Sequence, residues 1–223
     1  MKEYTQVKGL AGVYVVHKGN LRSTALRLAD DSLCLVSPLA GLPSGVYEAI
    51  AEQGSVKHVL APNHYHHKGL SEACEAFPKA KLYAPAAAAD RLQKQSGFRF
   101  SKLQTLAKWL PKHASFVETQ GLKTGEVWVR LLTPALAAWI VVDAFCGPKL
   151  AATGTAAPDA KKPELLKPFP TFGVGDKAIY SAWATRQIKA DQPKLLIPCH
   201  GRIVRSTTLP AALTSLAKGL AKQ

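Results

Sequence analysis

The sequence predicts a mixed α/β fold. Three observations carry that expectation: apolar runs of strand length recur along the whole chain, helical stretches alternate with them, and each half opens with strands and closes with helices. The chain has 223 residues, 47% of them hydrophobic and 20% charged, which excludes a disordered, collagen-like or disulfide-scaffold protein. No convincing linker, internal repeat or heptad pattern divides it, so a single domain over 1–223 is expected.

Each element has its own signal. GVYVVHKG is an apolar run closed by Lys18-Gly19-Asn20, and LRSTALRLADDSLCLVSP alternates on either side of a hairpin turn at Asp30-Asp31-Ser32. Pro43 and Ser44 start a helix with Val46, Ala49 and Ile50 on its apolar face, and Gly54 sits where a C′ glycine belongs. VKHVLAP is a short buried strand, followed by a helix over Ser71–Phe77, a strand KLYAP and a helix AAAADRLQKQ. The second half begins with SFVETQG and GEVWVRLL, in which Val127, Val129 and Leu131 alternate with Trp128 and Arg130. LAAWIVVDAF reads as a strand buried on both faces and ending on Asp143. Residues 147–175 have little periodicity and are rich in Pro, Gly, Lys and Ala, the composition of a functional lid or of partial disorder. Asp176 caps a helix through Ala190 with Ile179, Trp183 and Ile188 near one face; KLLIP is a last strand and LPAALTSLAKGLAKQ a final helix. Trp109, Trp128, Trp139 and Trp183 are read as core or pocket wall.

The charge balance points to anionic partners. Twenty-nine Lys and Arg against 15 Asp and Glu give +14, and a pI near 9.7, a field that favours phosphate esters, carboxylates, nucleic acid or acidic lipid. No Lys/Arg run of five exists and aromatic and basic residues do not interleave, so the charge reads as a lysine-rich solvated surface rather than a nucleic-acid face. No apolar run is long enough to cross a bilayer, no signal peptide is read, and Cys34, Cys74, Cys146 and Cys199 form no CxxC pair. A cytoplasmic protein without a membrane partner is expected.

The chemistry is concentrated in a few loops. His64, His66 and His67 lie within Asn63-His64-Tyr65-His66-His67-Lys68-Gly69, immediately after a buried strand, where α/β proteins place ligands. Three imidazoles in one loop suit a metal ion. Asp143 and His200, the latter in LLIPCHGRIV, occupy the same context after their own apolar strands. A carboxylate plus imidazoles is a shell for Zn²⁺, Fe or Mn²⁺. Tyr65, Lys68 and Arg202 are near these positions and could bind an anion; Cys146 and Cys199 are read as buried thiols, with a thiolate ligand the other reading. His17, His58 and His113 are read as structural.

These residues resemble the metallo-β-lactamase fold superfamily. The resemblance rests on the order of hairpins, strand–histidine loop–helix, apolar strand ending in Asp143, and strand followed by Pro198-Cys199-His200-Gly201. It runs over nearly the whole chain and looks closest to a branch with segments like RLADDSLCLVSP, VLAPNHYHHKG, AFPKAKLYAP and IPCHGRIV. It implies a four-layer αβ/βα sandwich. Against the family's HxHxDHxG motif, Pro62 stands at the first histidine, His64 at the second, His66 at the aspartate and His67 at the last histidine. LLTPA resembles the family's Gly-His-Thr-Pro-Gly turn with Leu132 at the histidine, Asp143 matches the bridging carboxylate, and His200 the final histidine.

One half of the usual binuclear site is thereby reduced to His64 and the shared Asp143, while the other is complete in His66, His67, Asp143 and His200, so one divalent metal is expected, zinc first, with Fe or Mn as alternatives. The resemblance then implies a metal-dependent hydrolase in which activated water attacks a small, anionic ester, amide, thioester or phosphoester. Asp143 and His66 are the catalytic candidates, His66 as a ligand or as a base near neutral pKa. The alternatives are a fold remnant that binds without catalysis, and a nucleic-acid processing enzyme.

Overall fold

A computed structural model describes residues 3–43, 45–150 and 158–222. Ser44 at the expected helix start, residues 151–157 of the irregular stretch and the terminal Gln223 lie outside the described residues. The chain divides into two compact units, Met1–Lys112 and His113–Gln223.

The first unit is a seven-stranded sheet whose strands follow one another in chain order. Strands β1 (Thr5–Gln6), β2 (Val13–Lys18), β3 (Leu21–Arg27) and β4 (Leu33–Val36) pair antiparallel. Their turns are those the sequence marked: Gly19 takes φ 56° between paired Lys18 and Leu21, and Asp31 takes φ 61° in the turn after Arg27. From β4 onward the pairing is parallel, through β5 (Val56–Leu60), β6 (Lys81–Ala84) and β7 (Ser101–Lys102). Parallel neighbours need a crossover, supplied by α1 (Gly45–Gln53), α2 (Leu70–Ala76) and α3 (Ala86–Ser96); α4 (Leu103–Ala107) follows β7. Val46, Ile50, Leu70, Ala73, Ala88 and Leu92 of the helices pack on Val16, Leu33, Leu35, Val59 and Leu82 of the sheet.

Two expectations for this unit are corrected. Gly54 follows α1 but has φ 159°, not the left-handed value of a C′ glycine; the terminal Gln53 carbonyl instead accepts from the Arg27 guanidinium at 2.6 Å. Of the two readings, core or pocket wall, the core one is corrected for Trp109, which is 44% exposed. It follows a five-residue helix too short to show a periodic face, and its ring lies 6.2 Å from that of His58.

The second unit is a five-stranded sheet in the order β12-β11-β10-β9-β8. The strands are β8 (Ala114–Glu118), β9 (Val127–Leu132), β10 (Ala137–Val141), β11 (Leu195–Pro198) and β12 (Val204–Arg205), of which only β10 and β11 run parallel. Helices α5 (Phe169–Phe172), α6 (Lys177–Asp191) and α7 (Leu209–Leu220) complete it. The core centres on Trp128, whose ring lies 4.9 Å from Trp139, 4.8 Å from Trp183 and 5.7 Å from Phe145. Such aromatic pairs contribute about 0.5–1.5 kcal/mol each beyond their buried area. Tyr180, Ala184 and Ile188 of α6 and Leu209, Leu213 and Ala217 of α7 close over it. Asp176 caps α6 as predicted, its Oδ1 accepting from Ile179 N at 2.8 Å. Ile179 itself is 51% exposed, so the expected face is corrected to Tyr180, Trp183, Ala184 and Ile188.

No helix among the described residues is long and apolar enough to cross a membrane.

Candidate metal centre

Each unit gathers its share of the predicted ligands by the same device. Adjacent parallel strands bring their C-terminal ends side by side, and the residues just beyond those ends meet. In the first unit the strands are β4 and β5. Ser37, directly after β4, donates its backbone N–H to the Leu60 carbonyl at the end of β5 (2.9 Å), and its Oγ lies 2.6 Å from His66 Nδ1. Ser37 is buried and holds φ 54°, a left-handed conformation costly for a non-glycine residue.

The histidine loop is tightly folded. Asn63, fully buried, accepts at its side-chain Oδ1 from Tyr65 N (2.8 Å) and at its carbonyl from His66 N (3.2 Å). The His67 carbonyl accepts from Leu70 N at 3.1 Å, which turns the chain into α2. At Gly69 a side chain would collide with the backbone of Pro38 and Leu39, so only glycine lets the loop reach the chain leaving β4. His64 is buried, with the Tyr65 ring edge-on at 4.3 Å; His66 and His67 are half-buried. Burial first, then the positive Lys68 and the neighbouring His66, lower the pKa of His67, so its imidazole is held in the neutral form that can donate to a metal.

In the second unit the strands are β10 and β11, paired Val141 to Pro198. Asp143 and His200 emerge beyond them, and His200 Nε2 lies 3.0 Å from Asp143 Oδ1. Asp143 is buried and His200 half-buried. Two glycines let these loops cross. Gly147 N donates to the His200 carbonyl at 3.0 Å; a side chain at Gly147 would strike the Arg202 backbone, and one at Gly201, which has φ 80°, would strike Gly147. Cys146 and Cys199 are buried and in no disulfide, and burial pushes Cys146 up to about 12. Cys199 Sγ lies within 4.8 Å of a His200 ring nitrogen, close enough for the thiolate-ligand reading.

The donor set fits a divalent cation. An oxygen and a nitrogen 3.0 Å apart match neighbouring ligands on a tetrahedral ion, for which bonds of about 2.0–2.1 Å give an edge of about 3.3 Å. His66, held through Nδ1, has Nε2 as its other ring nitrogen, the arrangement of an imidazole ligand oriented by a hydroxyl behind it. Pro62 is buried at the entry to the histidine loop, and Leu132 ends β9 at 37% exposure.

Of the anion-binding candidates, Arg202 is engaged by its own unit, its guanidinium donating to the Pro158 carbonyl. Lys68 is exposed, and exposed Tyr65 carries the Arg91 guanidinium 5.2 Å from its ring centre. Two residues that the sequence reading passed over are prominent: Ser37, behind His66, and Glu126, a buried carboxylate bonded to the backbone around Asp143. Ser37 had no signal beyond its place after an apolar strand. Glu126 had one, a lone acidic residue at the head of an apolar strand.

No family model matches the chain, and no curated protein matches it in sequence. Solved structures do match. A metallo-β-lactamase from Hirschia baltica aligns over 97% of this chain and 98% of its own, with TM-score 0.59 and 12% identity. The metallo-β-lactamase FIM-1 from Pseudomonas aeruginosa, in a mono-zinc form, aligns over 99% and 96%, with TM-score 0.60 and 13% identity. Rubredoxin oxygen:oxidoreductase from Desulfovibrio gigas aligns over 98% of this chain, with TM-score 0.65 and 13% identity, and the chain spans 61% of that protein's length. The chain therefore has the metallo-β-lactamase fold, as the sequence resemblance implied.

Proposed function

We propose that the protein is a metal-dependent hydrolase holding one divalent ion, zinc before iron or manganese, on His66, His67, Asp143 and His200. The observation that carries the reading is the Asp143–His200 pair, a buried carboxylate and an imidazole 3.0 Å apart at adjacent strand ends. His66 and His67 are the further donors of this proposal, and the mono-zinc form of a lactamase with this fold supports a single ion. When bound, such an ion supplies Lewis-acid polarisation of the substrate oxygen and acidifies the attacking water. Around it, Ser37 accepts from His66 Nδ1–H, which leaves the Nε2 lone pair as the donor atom. Asp143 Oδ1 and His200 Nε2, 3.0 Å apart, would be neighbouring donors to the ion. The net charge of +14 favours an anionic substrate, a small ester, amide, thioester or phosphoester.

The test is elemental analysis of protein purified without chelator, with the His67→Ala, His200→Ala and His113→Ala variants beside it. The expected result is close to one metal per chain in the wild type and in His113→Ala, with the other two depleted at least about tenfold. Equal metal content in all three variants sinks the site. A second reading, a binding protein without catalysis, is favoured by Pro62 and Leu132 at positions where the fold's motif carries histidine. Turnover of a generic carboxylic or phosphodiester substrate by the zinc-loaded protein separates the two, since the binding protein has none.

A further inference from the structure

Glu126 is the most deeply placed carboxylate of the second unit, 1% exposed at the residue preceding β9. A buried carboxylate is tolerable only when its oxygens are satisfied, and this one is satisfied in an unusual way. Oε1 accepts from Val142 N at 3.2 Å, Ala144 N at 3.3 Å and Trp128 Nε1 at 2.9 Å, while Oε2 accepts from Asp143 N at 3.2 Å. Three successive backbone N–H groups thus converge on one side chain, a nest of the kind that binds anions, filled here by the protein itself. The middle group belongs to Asp143, whose carboxylate meets His200. The three peptides lie just past Val141, the end of β10. A shift there would carry the Asp143 side chain with it.

We propose that Glu126 is a positioning residue for the metal centre: its carboxylate clamps the 142–144 backbone so that Asp143 is presented to His200 in ligating geometry. This rests on the metal-binding reading above. It differs from a purely structural role because one of the two oxygens serves Asp143 separately from the donors on the other.

The variant Glu126→Gln exploits that division. Its amide oxygen can take the place of Oε1 and keep three donors, which leaves the amide NH₂ facing Asp143 N–H, donor against donor. The control is Trp128→Phe, which removes one donor from Oε1, opens space in the core and leaves the Asp143 bond in place. Zinc affinity of each is measured by competition with a chromophoric chelator, and folding by circular dichroism and thermal unfolding. The expected result is zinc affinity lowered at least about tenfold in Glu126→Gln, and within about twofold of wild type in Trp128→Phe although that variant also melts lower. Unchanged affinity in Glu126→Gln, or an equal loss in both variants, overturns the proposal and leaves the metal site standing. A wild type that takes up no zinc overturns both.

Discussion

Ser37 illustrates how much the candidate site depends on single side chains. It sits in the left-handed region at φ 54°, where glycine would be more comfortable, yet its hydroxyl reaches His66 Nδ1 at 2.6 Å. A non-glycine residue there costs about 1–2 kcal/mol, so a device that merely turned the chain would be better served by glycine. Ser37→Gly is therefore expected to hold or raise the melting temperature while lowering zinc affinity by about tenfold, because His66 loses the partner that fixes its ring. Thermal unfolding of the apo protein and zinc competition, run on the same preparation, check both halves. A glycine variant that binds zinc like the wild type shows that the hydroxyl has no part in orienting His66. None of this was visible in the sequence, since a serine after an apolar strand has no mark that separates a turn residue from an imidazole's partner.

At the scale of elements, the unit that matters is a pair of parallel strands with the loops beyond their C-terminal ends. The strands were legible because buried apolar runs followed by turn residues are a strong local signal, and the candidates His64, His66, His67, Asp143 and His200 stand just beyond those runs. Elements that escaped are those without a period: the two-residue strands β1, β7 and β12 and the short helices α4 and α5. Ile179 was misplaced because a residue's face within a helix of mixed polarity is decided by tertiary packing, not spacing, and Trp109 because it lies in a turn beyond a helix too short to show a period. The loop crossing was also hidden, for it depends on two glycines 54 residues apart in the chain. Gly201→Ala adds a methyl group at φ 80°, directly against the Gly147 backbone. It should destabilise the protein by about 2 kcal/mol or more in urea unfolding, from the left-handed backbone and the collision together. Gly219→Ala, which meets nothing within 4 Å in helix α7, is the matched control and should stabilise slightly. Equal effects at the two positions would falsify the crossing as drawn.

The whole molecule carries a positive excess that bears on its stability as well as on its partners. At +14, each further proton on the folded chain adds to self-repulsion. Two imidazoles outside the candidate site add a more specific term. Burial is the main cause that lowers His58, which bonds Tyr83 Oη at 3.1 Å, with Lys57 and Lys81 acting in the same direction against an opposing Asp30. Burial, with Arg22 nearby, lowers His17. A histidine whose folded pKa lies below its unfolded value near 6.5 binds fewer protons folded than unfolded across the interval between the two. Protons are then taken up on unfolding, and stability falls as pH drops through that interval, levelling below the folded pKa. The metal-free protein, kept in chelator so that ligand protonation does not contribute through zinc loss, is expected to melt progressively lower as pH is taken from 7.5 to about 5. His58→Gln, which keeps a hydrogen-bonding side chain beside Tyr83 but cannot titrate, should flatten part of that fall. A variant whose melting temperature follows the wild-type curve at every pH would show that His58 is not a source of the linkage, and would leave the general charge of the chain to account for it.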